Sequence, residues 1–92
     1  MKYVTITQSG IFAVKPLRVY KVILTTKAGG VGLASIYKGM KETGEKLITL
    51  KADGNMTKEI NFEGGYLIGG VVYVDLNELV DNVVIGFEYE QQ

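Results

Sequence analysis

Residues 27–35 read KAGGVGLAS, with Gly29, Gly30 and Gly32 set beside Lys27. A phosphate-cradling loop of the Walker type needs its lysine and a Ser/Thr after the glycines, at the start of a helix whose N-terminus helps to hold the anion. Here the lysine comes first. The next residues, VGLASIYKG, alternate apolar with other side chains and do not recur with helical period. The dinucleotide-binding fingerprint fails for the same reason. The stretch therefore reads as a glycine turn joining two antiparallel strands, and the chain around it reads as β.

The same period of two runs along the chain. It predicts strands at Tyr3–Thr7, Leu17–Thr26, Val31–Lys38, Lys46–Lys51, Met56–Phe62, Tyr66–Ile68, Val71–Leu76 and Asn82–Glu90. Ser9-Gly10, Gly29-Gly30, Thr43-Gly44, Asp53-Gly54-Asn55 and Gly64-Gly65 lie between them as turn residues. Asp53-Gly54 is the strongest hairpin signal among these. Pro16 falls just before a strand, where its missing N–H costs no ladder bond. Only DLNELVDN, residues 75–82, offers a helical turn, with Asp75 or Asn77 as its cap, and a simple loop fits it as well. The expected fold is all-β: one domain over residues 1–92, a small antiparallel β-sandwich or jelly roll of about eight short strands, with a small closed barrel as the alternative.

Composition narrows the chemistry. There is no cysteine and no histidine, which removes disulfides, thiolate zinc sites and the commonest general base near neutral pH. Ten basic residues balance ten acidic ones, and Lys38, Lys41 and Lys46 are interleaved with Glu42 and Glu45, so no basic stripe for nucleic acid forms. The N-terminal MKYVTITQ has no continuous apolar core of a signal peptide, and no run approaches the ~18 apolar residues of a membrane helix. A soluble protein made in a cytoplasm is the expectation, with no nucleic-acid or membrane partner. Glu42 and Glu45 flank a turn among lysines and read as a solvated loop. Asp75, Glu78 and Asp81 could supply oxygens to a calcium ion, but they lack the spacing and central glycine of a helix–loop–helix calcium loop and read as the polar side chains of a strand connection. No catalytic residue, cofactor or metal is expected, and the chain is not expected to be an enzyme. The six tyrosines, Tyr3, Tyr20, Tyr37, Tyr66, Tyr73 and Tyr89, suit half-buried sheet positions. They also leave open a small carbohydrate- or host-surface-binding module with a tyrosine-lined sheet.

A domain this small gains much from oligomerisation when disulfides and metals are absent. Its strands carry more apolar surface than two sheets need. In the last strand Val83, Ile85, Phe87 and Tyr89 point one way and Glu88 and Glu90 the other. In LRVYKVIL, by contrast, strict alternation puts Tyr20, Val22 and Leu24 on one face and Val19 and Ile23 on the opposite one. VVYV, residues 71–74, is apolar on both faces, and GIFAV adds Ile11 and Phe12 outside any clear strand. Ile11, Phe12, Val19, Ile23, Val71 and Tyr73 are thus the candidate contacts for a subunit or shell interface.

The order of motifs resembles that of small β-sandwich virion proteins of tailed bacteriophages, of the capsid decoration (cement) or head-fibre-base type. The shared features are VTITQSG, KPLRVYKVIL, a glycine turn, ASIYKG, TGEKLITL, GGYLIGGVVYVDL and VVIGFEYE, spanning about residues 3–90. DLNELVDN is richer in charge than the short link expected there. The resemblance implies a non-enzymatic structural protein of the virion, a homo-oligomer such as a trimer. Such a protein would dock on the major capsid protein or another particle component. It assigns no single residue a role.

Overall fold

The computed structural model describes residues 1–41 and 43–90. It contains eight strands: β1 (Lys2–Ile6), β2 (Gly10–Ala13), β3 (Leu17–Thr26), β4 (Gly32–Lys38), β5 (Glu45–Ala52), β6 (Thr57–Ile68), β7 (Val72–Leu76) and β8 (Val80–Tyr89). They form two four-stranded antiparallel sheets, ordered β1-β8-β3-β6 and β2-β7-β4-β5. Four of the pairings, β1 with β8, β2 with β7, β3 with β6 and β4 with β5, are those of one long hairpin folded at the β4–β5 turn. Rolling that ribbon into two layers brings β8 against β3 and β7 against β4, and the result is a jelly roll.

The core explains the pattern. From one sheet Leu17, Val19, Val22 and Leu24 of β3 and Val83, Ile85 and Phe87 of β8 point inward; from the other come Ala34, Ile36, Ile48, Leu50, Val72 and Val74. Each fully buried aliphatic side chain contributes roughly 1.5–3 kcal/mol. β8 alternates as its sequence predicts.

β3 does not alternate strictly, and the reason is a bulge. Val19 and Lys21 face Phe87 and Gly86, consecutive residues of β8, so Tyr20 is one residue extra. On the other side the same step spans Tyr66 to Asn61, and Phe62–Gly65 of β6 stand opposite Tyr20 alone. Gly64 and Gly65, with φ of 80° and 84°, let β6 make this excursion without ending. Strict alternation is therefore the wrong frame for Val19, which is fully buried in the core and not on an outer face. For the same reason Met56–Phe62 and Tyr66–Ile68 are one strand, while the GIFAV stretch supplies a strand of its own, β2.

Only β4 and β5 form a hairpin. The KAGGVGLAS turn and the Asp53-Gly54 turn each cross from one sheet to the other, because β3 and β4, like β5 and β6, belong to different sheets. These crossovers pack against each other, which accounts for their glycines better than a hairpin does. A Cβ on Gly54 would lie 2.8 Å from the Lys27 carbonyl oxygen, and one on Gly30 would lie 2.9 Å from the Leu79 side chain. The buried Thr26 hydroxyl fastens the arrangement, donating to the Asp53 carbonyl at 2.6 Å and accepting from the Met56 N–H at 3.1 Å. DLNELVDN holds a turn and no helix. Asn77 takes the Leu33 N–H on Oδ1 at 3.1 Å and donates Nδ2–H to the Val31 carbonyl at 3.0 Å, tying the β7–β8 turn to the glycine crossover.

Candidate assembly surface

The two open sides of the sandwich differ in composition before they differ in shape. Residues 1–14, which build β1 and β2, carry a single charged side chain, Lys2; residues 45–63, which build β5 and most of β6, carry Glu45, Lys46, Lys51, Asp53, Lys58, Glu59 and Glu63. On the second side β5 and β6 approach each other across the layers. Both strands are bulged there, β5 by Leu47, extra between Ile48 and Lys46, and β6 by Phe62–Gly65. Bulges and charges on an edge are the usual ways to deny it a strand partner. Glu59 shows the solvated character of this side. Its carboxyl is held below its ordinary value near 4.5, first by the hydrogen bond from Asn61 and then by the Lys21 ammonium 3.6 Å away.

The β1–β2 side is apolar and exposed. Val14 is 72% exposed, Met1 and Tyr3 59% each, and Ile11 53%. Val4 and Ile6 are half-buried at the rim of the core. β2 carries a bulge at Phe12, extra between Ile11 and Ala13, which turns this ring inward to plug the gap between the sheets. There it meets Phe87 edge-to-face, centroids 5.0 Å apart, and Phe87 meets Tyr89 in the same way at 5.3 Å. β1 has no bulge: Lys2 to Ile6 pair in unbroken register with Phe87 to Val83. Tyr3 lies across the outer face, over Gly86, where an added Cβ would be 2.9 Å from its ring.

The six sequence candidates do not form one surface. Ile11 and Tyr73 are cross-strand neighbours on the outer face of the β2-β7-β4-β5 sheet. Ile23 is half-buried on the outer face of the opposite sheet, beside Val84 and Glu59. Val19 is interior, Phe12 is half-buried against the core, and Val71 is half-buried in the link before β7, its carbonyl taken by the Gly39 N–H at 2.7 Å. Sequence reasoning missed Tyr3, Thr5 and Val14; the near absence of charge over residues 1–14 was the signal that pointed to them.

Two other groupings were open in the sequence. Tyr73 and Tyr37 come together edge-to-face, 6.5 Å between centroids, with Lys46 Nζ 5.8 Å from the Tyr37 ring. Of the carboxylates in DLNELVDN, Asp75 is engaged by Lys41 Nζ at 3.2 Å and by Ser9 Oγ at 3.3 Å, and Asp81 accepts from the Asn82 amide at 3.0 Å. Glu42 lies outside the described residues, among which no group of three or more acidic, His or Cys side chains could hold a metal ion.

Together these features describe a small jelly-roll sandwich whose β5–β6 side is rich in charged side chains and whose β1–β2 side has few. The chain matches no protein-family model, and no match to it was found among curated proteins or solved structures.

Proposed function

We propose that the chain is a non-enzymatic structural subunit of a tailed-phage virion, a decoration protein that self-associates and docks on the major capsid protein of the shell. The observation that carries this reading is the exposure of Val14, Tyr3 and Ile11 within the charge-poor first 14 residues, in a chain that also exposes Met56 and Leu67. Exposed apolar area of this kind on a small domain is a candidate contact surface. The resemblance of its motif order to that of phage decoration proteins suggests the particle; the fold alone would not. The mechanism is mass action. A rigid subunit that binds the expanded shell and not its precursor stabilises the expanded state by an amount set by its concentration and affinity.

Co-sedimentation with expanded and unexpanded empty shells of the encoding phage tests this. Binding to the expanded form alone is expected, and no binding to either refutes the docking. A second reading, a sugar- or host-surface-binding module, is favoured by the Tyr37–Tyr73 pair with Lys46 beside it. It predicts glycan binding that Tyr73→Ala abolishes without changing the native mass.

A further inference from the structure

We propose that β1 is a docking edge for a second copy of this chain, and that two copies join β1 to β1′ antiparallel about a two-fold axis through Thr5. This rests on the self-association reading above and names its surface. Among the described residues β1 pairs with β8 on one side and with nothing on the other, so it presents a row of unpaired N–H and C=O groups. Such a row specifies its occupant chemically: an extended strand. The other three edges are each interrupted, β2 at Phe12, β5 at Leu47 and β6 at Phe62–Gly65. Tyr3 does not cover the open edge, because its ring lies over Gly86 on the face.

The strand's own sequence selects the partner and the register. Val4 and Ile6 lean to the core, opposite Ile85 and Val83, while Tyr3 and Thr5 stand on the outer face, opposite Gly86 and Val84. A two-fold pairing that keeps both cores on the same side must centre on a residue, not between two. Centring on Val4 sets Lys2 against Ile6′, and centring on Tyr3 sets Lys2 against Val4′. Centring on Thr5 sets Val4 against Ile6′ and Thr5 against its own copy within the strands, and carries Tyr3 and Lys2 beyond the partner strand's end at Ile6′. No like charges meet, and Thr–Thr is a favourable cross-strand pair. A contact that is the same patch on both copies closes on itself and does not grow into a fibre.

The test uses the whole chain in four forms: wild type, Thr5→Lys, Thr5→Glu and, as a charge control on the outer face of the other sheet, Thr49→Lys. Thr5 and Thr49 are both exposed, so each variant folds, and circular dichroism verifies it. Sedimentation equilibrium is expected to show two-fold association of wild type and of Thr49→Lys. Thr5→Lys and Thr5→Glu alone each associate about tenfold more weakly or worse, since like charges then face each other across the axis. Mixing them restores association as a heterodimer. Undiminished association of Thr5→Lys, or no recovery in the mixture, overturns the β1 pairing while leaving self-association in place. A wild-type monomer at every concentration overturns both.

Discussion

The β5–β6 side and the β1–β2 side of this sandwich solve the same problem in opposite ways. Each presents two sheet edges to solvent. On the first, both strands are bulged, both carry acidic and basic side chains, and the layers meet. On the second, one strand is bulged and the other is regular, one lysine is the sole charged side chain over the first 14 residues, and an aromatic ring fills the gap between layers. Edge protection in a small jelly roll is thus not applied uniformly. An edge left without it is a place where a partner strand fits.

Substitutions on either side probe this contrast. Phe12→Ala should have the largest effect. It opens the gap on the apolar side and strips Phe87 of its edge-on partner, for a loss of about 3 kcal/mol read by urea denaturation. A loss below the level of an ordinary surface change would mean that the ring only covers the gap. On the charged side Thr26→Val keeps the shape but leaves the Asp53 carbonyl and the Met56 N–H short of a partner, costing about 1–3 kcal/mol in the same assay. Val14→Ser should leave stability within about 0.5 kcal/mol, as for an exposed site, and yet weaken self-association measured by light scattering. Equal association of both proteins would remove Val14 from the contact.

The smallest expected effect is that of Glu59→Gln. The folded-state carboxyl of Glu59 is lowered, so its interactions with Asn61 and Lys21 stabilise the fold above the unfolded value and are lost as pH falls through the lowered one. The thermal midpoints of wild type and variant should therefore differ slightly near neutral pH and converge in acid. A difference that grows on acidification would reverse this sign.

How far the sequence could be read depends on what each residue reports. Alternation in β8 identified Val83, Ile85 and Phe87 as core because the strand keeps one face pattern from Asn82 onward, its irregularity at Asp81 lying before them. In β3 the same rule misplaced Val19, since one inserted residue, Tyr20, exchanges the faces beyond it and leaves no mark in composition. Gly64-Gly65 was legible as a break but not as the bulge that answers Tyr20, because that pairing exists only across the sheet. Asp53-Gly54 and KAGGVGLAS were legible as turns; that they join different sheets is a consequence of strand order, which local chemistry does not encode. Ile11 could be recognised as exposed apolar surface. The open edge beside it could not, since an unpaired backbone has no signature in the side chains that carry it.

The sharpest check on the open β1 edge is hydrogen–deuterium exchange of the wild-type chain, followed over a rising concentration series. Amides of residues 2–6 are predicted to exchange more slowly as concentration rises, while those of residues 45–52 and 57–68 stay as they were. Protection that arises along β5 and β6 instead, or nowhere, would contradict the pairing.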